Sequence, residues 1–576
     1  MKPTVKRELY DVAVIGGGPA GAAAARLLAL WGRDVVLATQ RRDPGRDLAV
    51  SLPPSIRKLF ATLGVLEAID AAGFVRSTGN TVWWAAREPR AQRFVGGETG
   101  YQVRHGDLDR VLLAAAEAAG ATVLRDVSVE EVELGSTGSP SARQEGGREV
   151  RHRQSPGSPA RLRFAAEDGE QWLAARIVLD ASGRRGVIAR AQGLRLEPGP
   201  PTVALVGTWR RRGGWQVPDD THTLVESFAD GWAWSVPITP EVRYFTCMLD
   251  PVVSERASGE LADRYTAALR RAKALHGLLD GAELVGEPWG CDASWYRSTR
   301  VTGDRFLLVG DAASFIDPLS SFGVKKALGS AWLAAIVANT ILSEPQPGEV
   351  APTLGEPQPA EAVQALDARR PEDRAHEEPG LAKARARSEP RLAEAARGLF
   401  EEHEQRVYEA FEAQAAGFFD EVAADETHPF WSGRAEAERD LPGDPDVAAF
   451  RRDPEVLAAF EALRRSPSIR LAPGPDLQVV KAPAIGDRTV VMDDHLATPS
   501  LPRGLRYLRG VDLRRLVELA PAHDQVPDLF DAYNRSVSPV APVPLPDFLG
   551  ALSVLLAKDL LRNDADWPHL RRPRRP

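Results

Sequence analysis

Cysteine is nearly absent from this chain: Cys247 and Cys291 are the two cysteines among 576 residues. Two are too few for a disulfide framework, and they lack the spacing of a zinc site. The sequence therefore predicts free thiols in a reducing compartment, no metal site and a cytoplasmic location. An apolar signal segment with a cleavage site is also missing before the first predicted strand, which agrees with that location.

Long apolar runs and an excess of one charge are missing as well. The apolar run near the end, Phe548 to Leu561, includes Lys558 and Asp559 and is shorter than the ~20 residues that span a bilayer. We therefore expect no transmembrane segment. The chain has 72 basic and 80 acidic residues, so no overall field favours nucleic acid as a partner.

What the chain does contain is a glycine-rich turn between two strands. An apolar strand from Val12 to Ile15 leads into Gly16, Gly18 and Gly21 and then into an alanine-rich helix. In such a βαβ unit the first glycine permits a tight turn, the second lets a pyrophosphate approach the backbone, and the third lets helix and strand pack closely. The motif predicts a dinucleotide site at the helix N-terminus.

The end of the second strand departs from the usual pattern of such sites. A carboxylate about 20 residues on from the glycines ordinarily binds the ribose hydroxyls, but Thr39 and Gln40 stand there. Either neutral side chain can hydrogen-bond a hydroxyl, more weakly than a charged acceptor would. We expect the same binding mode with weaker hold on the adenosine end.

Two further stretches carry a family resemblance. LDASGRRG, from Leu179, and RFLLVGDAASFIDPLSSFGVKKAL, from Arg305, resemble the FAD-binding flavoproteins that include para-hydroxybenzoate hydroxylase and the flavin-dependent halogenases. The resemblance implies an α/β fold with a Rossmann-type FAD-binding domain, an inserted β-sheet substrate domain and a mainly helical C-terminal region. It also implies non-covalent FAD, with electrons from NAD(P)H or from a partner flavin reductase.

The resemblance assigns further cofactor-binding residues. The Asp311 carboxylate would bind the ribityl chain, and the turn that follows would bring a helix N-terminus beneath the isoalloxazine, where backbone N–H groups stabilise negative charge. Arg104 matches an arginine that starts a helix beside the FAD phosphates. The other residues of the flavin turn are Gly310, Pro318, Gly323 and Val324.

Two segments are similar to the halogenase branch. GWAWSVP, Gly231 to Pro237, is similar to its Trp-x-Trp-x-Ile-Pro motif, and AVSLPPS, from Ala49, is similar to its Gly-Glu-Ser-Leu-Leu-Pro segment. Trp232 and Trp234 share a strand face, however, and ordinary core packing explains two such tryptophans equally well.

Two departures argue against halogenation. Halogenases place a lysine ammonium in the substrate tunnel, and Ser77 stands at that position; the neighbouring Arg76 would point to the opposite face of a strand. Halogenases also have a small hydroxyl residue before the glycine that matches Gly323, where Phe322 would fill the halide pocket.

The resemblance then implies a monooxygenase that hydroxylates an aromatic substrate through a flavin C4a-hydroperoxide. The substrate would be an aromatic small molecule or a protein-bound tryptophan, since LSSFGVKK looks like flavoproteins that act in tryptophylquinone maturation. Lys325, together with Phe322, Ser77, Trp232 and Trp234, is a candidate catalytic residue. A halogenase with an unusual site and a prenyl-type reductase remain alternatives, as does, more remotely, a flavin-binding protein without activity.

The domain organisation follows from these motifs and from the composition of the segments between them. We expect a substrate cavity between the FAD domain and the inserted sheet. The predicted segments are 8–75 (FAD-binding unit), 76–103 (substrate-sheet strands), 104–195 (FAD-binding continuation with an exposed loop, 135–159), 196–300 (substrate sheet), 301–342 (flavin turn and helix), 343–390 (disordered insertion) and 391–576 (helical C-terminal region).

Overall fold

The computed structural model describes two units, Met1–Arg439 and Asp440–Pro576. The predicted exposed loop 135–159 and insertion 343–390 lie almost wholly outside the described residues. Those residues are 9–41, 43–85, 88–135, 158–166, 169–197, 199–251, 260–344, 391–435, 450, 453–465, 468–537 and 542–564.

The first unit combines many strands with helices on the faces of its largest sheet. Its strands are β1 (Leu9–Ile15), β2 (Val35–Thr39), β3 (Ala49–Leu52), β4 (Val75–Ser77), β5 (Gly79–Trp83), β6 (Arg90–Arg93), β7 (Gly100–Arg104), β8 (Thr122–Arg125), β9 (Ser128–Glu133), β10 (Ala160–Ala166), β11 (Gly169–Asp180), β12 (Arg195–Leu196), β13 (Val203–Arg210), β14 (Thr223–Phe228), β15 (Gly231–Pro237), β16 (Val242–Leu249), β17 (Glu283–Asp292), β18 (Tyr296–Ser298), β19 (Thr302–Gly303), β20 (Phe306–Leu308) and β21 (Ser314–Phe315). Its helices are α1 (Pro19–Leu30), α2 (Ile56–Thr62), α3 (Leu66–Ala71), α4 (His105–Ala118), α5 (Val187–Ala191), α6 (Leu261–Leu269), α7 (Lys273–Gly277), α8 (Gly323–Ser343), α9 (Leu392–Ala423) and α10 (Pro429–Ala435).

The largest sheet places the predicted cofactor motifs along one edge. Its order is β19-β20-β11-β1-β2-β8, and β1, β2, β8, β11 and β20 run parallel. β1 is buried from Val12 to Ile15 because it lies in the middle of a parallel sheet covered on both faces. The carboxyl ends of β1, β2, β11 and β20 therefore meet, which is where open α/β sheets bind ligands.

A second, seven-stranded sheet corresponds to the predicted substrate sheet, with one correction. Its order is β17-β13-β16-β15-β14-β5-β6, so only part of the segment 76–103 belongs to it. β4 and β7 instead pair with β3 as a separate three-stranded sheet. Period-two alternation is common to all these strands and does not tell which partner each one takes.

Helix α8 forms the buried centre of the first unit. It packs against α1 and α9 and is long and apolar enough to cross a membrane, but 83% of its apolar window is buried inside the protein. Among the described residues no other helix meets that length and composition.

The second unit adds strands to a region for which the sequence predicts helices. Its elements are α11 (Pro454–Arg465), β22 (Leu471–Pro473), β23 (Gln478–Ile485), β24 (Val490–Thr498), β25 (Leu501–Leu505), β26 (Tyr507–Leu508), β27 (Val511–Asp512), α12 (Leu513–Leu519), α13 (Val526–Val537), α14 (Leu545–Ala557) and β28 (Leu561–Asn563). α14 is buried in a core of its own. The segment 391–576 is thus mainly helical, but α9 and α10 belong to the first unit and the remainder forms a separate one.

Candidate functional site

A cavity of about 730 Å³ lies at the carboxyl edge of the parallel sheet. It brings together six residues that the sequence analysis assigns to the cofactor. They are Gly16, Gly18, Thr39, Gln40, Arg104 and Asp311. These residues lie on four separate segments of the chain, so their convergence is a property of the fold. Their role in binding stays a prediction.

The three motif glycines occupy three different environments. Gly16 has φ +105°, and a Cβ there would lie 2.3 Å from the carbonyl oxygen of Ala181. At Gly21 a Cβ would lie 1.9 Å from the carbonyl oxygen of Gly16, whereas at Gly18 it would have no heavy atom within 4 Å. Gly16 and Gly21 are therefore required by the protein's own packing, and Gly18 borders open space.

Helix α1 points an uncapped N-terminus into this cavity. Gly18 is its N-cap residue, no side chain caps it, and its first turn contains no acidic residue. The unpaired N–H groups and the helix dipole give this end a partial positive charge. The geometry suits an anionic group beside Gly18.

The remaining cavity residues are already engaged with neighbours. Gln40 donates from Nε2 to Ser128 Oγ at 2.7 Å. Arg104 is the N-cap of α4 and donates from Nε to Asp107 Oδ2 at 2.7 Å. Both side chains are therefore held in place before any ligand binds.

Two buried carboxylates that the sequence analysis missed shape the cavity wall. Asp47 accepts hydrogen bonds from the Gly106 N–H at 3.0 and 3.2 Å, which fixes the start of α4. Asp180, at the end of β11, accepts from the N–H groups of Ser182 and Ile188, and burial raises its pKa. An acidic residue at a strand end before a glycine turn, as in LDASG, is the signal that could have found Asp180.

The flavin turn itself is less open than expected. Gly310, with φ +64°, lies behind the cavity, and Pro318, Gly323 and Val324 are not among the residues that line it. Ser321 has φ +56°, so the turn before α8 includes a left-handed residue. The cavity approaches this region only as far as Asp311 and Ala327.

Phe322 and Lys325 face each other at the start of α8. The Phe322 ring lies 5.6 Å from the ring of Phe411 on α9, between centroids. The Lys325 ammonium lies 5.0 Å from the centroid of the Phe322 ring, and burial, followed by the nearby Lys58, lowers its pKa. Lys325 is thus half-buried against an aromatic ring.

Ser77 lies in a buried position away from both cavities described here. Its hydroxyl donates to the carbonyl oxygen of Gly79 at 3.2 Å. Arg76 points elsewhere: its guanidinium lies 4.4 Å from the Tyr101 ring centroid and pairs with Asp70.

Trp232 and Trp234 stack on each other, with centroids 4.8 Å apart, on a sheet face that the chain itself covers. Helices α9 and α10 supply the cover: Trp84 donates from Nε1 to the carbonyl of Phe418 at 2.9 Å, and Trp431 lies 5.5 Å from Trp84. All of these rings belong to one buried cluster. The tryptophan motif is therefore core, and no substrate cavity opens on it.

A second cavity, of about 720 Å³, lies between the FAD-side loop 43–47 and the ends of β13, β16 and β17. It shares Asp47 and Arg104 with the first cavity, so the two spaces adjoin. Its walls include the aromatic rings of Tyr244 and Trp289. This location, between FAD-side loop and sheet, is the one that the sequence predicts for a substrate cavity.

The comparisons with known proteins decide the family. The family model for the FAD binding domain matches residues 9–339 of this chain. The chain belongs to the FAD-binding flavoprotein family. This family includes flavin-dependent halogenases and related FAD monooxygenases, so the protein is an FAD-dependent oxidoreductase.

Curated relatives of this FAD-binding flavoprotein are halogenases. A 1H-pyrrole-2-carbonyl peptidyl-carrier protein chlorinase of Pseudomonas fluorescens is 27% identical over 358 residues, covering 57% of this chain and 75% of that protein. A tryptophan 2-halogenase of Chondromyces crocatus is 28% identical over 342 residues, covering 58% of this chain and 61% of that enzyme. The alignment thus spans less than two thirds of the tryptophan 2-halogenase.

Solved structures show that the fold continues beyond the FAD domain. CmlS, a flavin-dependent halogenase, has a TM-score of 0.67 at 20% identity and covers 97% of this chain and 96% of its own. The peptidyl tryptophan dihydroxylase QhpG has a TM-score of 0.56 at 21% identity and covers 92% of this chain and 96% of its own. At these identities the likeness concerns the fold.

The first cavity fits the cofactor of the family. Open space at Gly18 and the uncapped N-terminus of α1 suit a pyrophosphate. At the far end, Asp311 offers a carboxylate to hydroxyl groups. An elongated dinucleotide with a central anionic group matches both ends.

Proposed function

We propose that this FAD-dependent oxidoreductase is a monooxygenase that hydroxylates an aromatic substrate, either a small molecule or a protein-bound tryptophan. The observation that carries the proposal is Phe322. Its ring packs on Phe411 at the position where the halogenase resemblance implies a small hydroxyl residue. A phenyl ring there removes both the space and the polar contact that a halide needs.

Ser77 supports the same conclusion. A buried serine bonded to a backbone carbonyl supplies no ammonium. The nearest alternative cation, Arg76, is paired with Asp70 and stacked on Tyr101, so it is not available to a hypohalous acid either.

The protein's part in the reaction is to bind and orient. Reduced FAD supplies the activation of dioxygen, and the electrons come from NAD(P)H or a partner flavin reductase. The N-terminus of α1 holds the pyrophosphate, and Asp311 accepts hydrogen bonds from the ribityl hydroxyls. The remaining cofactor contacts are those predicted for Pro318, Gly323 and Val324.

The second cavity is the proposed substrate site. The covered face of Trp232 and Trp234 leaves no room for a guest, whereas the second cavity adjoins the first through Asp47 and Arg104. Tyr244 and Trp289 offer aromatic faces for an aromatic ring. We place the enzyme in the cytoplasm, a location that stays a prediction.

A halogenase is the second candidate, favoured by the curated relatives, which are halogenases. The two functions are separated by the fate of oxygen. Reduced enzyme is mixed with ¹⁸O₂ and a panel of phenols, indoles and tryptophan-containing peptides, with and without bromide. We expect ¹⁸O in an organic product under both conditions. Halide-dependent brominated product would reject the monooxygenase, and product formed without oxygen would indicate a reductase.

A further inference from the structure

A buried cationic side chain lies directly behind Asp311. The Lys326 side chain, on α8, is 5% exposed, and its Nζ lies 3.4 Å from Asp311 Oδ1. Nζ also donates to the carbonyl oxygen of Ser314 and, at 3.3 Å, to its hydroxyl. Asp311 lines the first cavity and Lys326 does not. Lys326 therefore acts on the cavity through Asp311 and through its charge.

A buried acid faces the same lysine from α9. Glu404 is 3% exposed, and its Oε2 has no hydrogen-bond partner among the described residues. Burial raises its pKa to about 7, while the charge of Lys326 and a hydrogen bond from Ser330 act in the opposite direction. Glu401, one turn earlier on the same helix, adds a further negative charge.

Ser330 connects this acid to the flavin turn. Its hydroxyl oxygen accepts the N–H of Gly310 at 2.9 Å, which leaves the hydroxyl proton for Glu404. Gly310 and Asp311 are consecutive residues, so one side of the cluster holds the backbone of the turn and the other side holds its carboxylate. α9 begins beyond residue 339, where the family match ends.

We propose that Lys326 and Glu404 are positioning residues that set the charge behind Asp311 and thereby the relative affinity of the site for reduced and oxidised FAD. An ammonium in a low-dielectric surrounding favours the negative charge of the reduced cofactor, and an ionised Glu404 opposes it. This inference rests on FAD binding in the first cavity and holds for hydroxylation and halogenation alike.

The test measures the dissociation constants of oxidised and reduced FAD, the latter under anaerobic conditions, together with the midpoint potential of the holoenzyme. Lys326→Met should weaken reduced FAD at least tenfold relative to oxidised FAD. For a two-electron couple, tenfold corresponds to a fall of ~30 mV. Glu404→Gln should change the ratio in the opposite direction, because it removes the charge that opposes Lys326.

A double variant tests whether the two residues act together. Without the ammonium, a buried Glu404 has no cation to favour its ionised form. In the Lys326→Met background, Glu404→Gln should therefore have less than half of its single-variant effect. Equal effects in both backgrounds would contradict the coupling.

Glu401→Gln is the matched control on the same helix. The Glu401 carboxylate accepts the N–H groups of Val301 and Thr302 at 2.9 and 3.1 Å, so it holds α9 in place without touching Lys326. We expect a lower melting temperature and a ratio within twofold of wild type. An equal shift in this control, or unchanged ratios in folded Lys326→Met and Glu404→Gln, would overturn the proposal. Lys326→Arg, which keeps the charge, should preserve the ratio, and it replaces Lys326→Met if that variant does not fold. Wild-type protein that binds no FAD would instead reject the site itself.

Discussion

The ring of Phe322 lies 5.6 Å from the ring of Phe411, between centroids, and so joins the turn before the flavin helix to the C-terminal helix α9. Phe411 lies outside the FAD-binding domain proper, which matches residues 9–339. The residue that decides between halide and no halide is thus held by a part of the chain that the family motif does not include.

Ser77→Lys should not create a halogenase. The new ammonium would enter a fully buried position, at a cost of about 3–5 kcal/mol, and Phe322 would still fill the halide position. We expect a lower melting temperature and no brominated product by mass spectrometry. Arg76→Lys, at the partly exposed neighbour, is the control and should remain near wild-type stability. Bromination by Ser77→Lys alone would show that the ring does not exclude the halide.

Gly18 and Gly21 should fail in different ways. Gly18→Val should fold, because a Cβ at this position meets no atom within 4 Å, yet it should lose the yellow cofactor through collision with the pyrophosphate. Gly21→Ala should lower the melting temperature of the FAD-free protein, because its Cβ would lie 1.9 Å from the Gly16 carbonyl oxygen. Thermal melts and the flavin absorbance of each purified protein distinguish the two. Wild-type protein should release its FAD on acid precipitation, as a non-covalent cofactor does.

Asp317 should make stability depend on pH. Burial raises the pKa of this carboxyl from 3.8 to about 6; Arg434 and the indole N–H groups of Trp232 and Trp295 face it without compensating fully. Because the folded-state pKa is the higher one, the unfolding free energy falls as pH rises from about 4 to 6 and then stays level. The loss amounts to about 3 kcal/mol.

Asp317→Asn removes that titration while keeping an oxygen for the Leu319 N–H, which the wild-type carboxylate accepts at 3.0 Å. Denaturant unfolding at pH 5 and pH 7.5 should show the variant gaining stability relative to wild type at the higher pH. A difference between variant and wild type that does not change with pH would show that Asp317 titrates normally.

Removal of residues 345–390 should leave the first unit intact. The two flanking ends lie side by side, since the Ala393 N–H donates to Glu344 Oε1 at 2.7 Å, and a short glycine-serine linker can bridge them. Loop closure costs grow slowly with length, so FAD content and melting temperature should stay close to those of wild type. Limited proteolysis of wild-type protein should cut in this segment first; a fall in melting temperature by several degrees would reveal a folded element there.

Much of the cofactor site was predictable because its signals are local. Gly16, Gly18 and Gly21 follow a buried strand and precede a helix, and their spacing alone indicates a turn that faces a dinucleotide. Asp311 was predictable only through family resemblance, since a single Gly-Asp pair after a strand has no meaning without it. Asp47 and Asp180 were missed because their roles depend on backbone N–H groups supplied by other segments.

The sequence by itself determined the βαβ unit, the residues of the FAD cavity and the α9 helix, because these depend on short-range periodicity and on backbone freedom at glycine. Only the tertiary structure decided that Trp232 and Trp234 are covered by α9 and α10, that β4 and β7 leave the substrate sheet, and that Lys326 and Glu404 meet in the core. Those outcomes depend on contacts between residues far apart in the chain, and such contacts are set by competition among many apolar surfaces for burial.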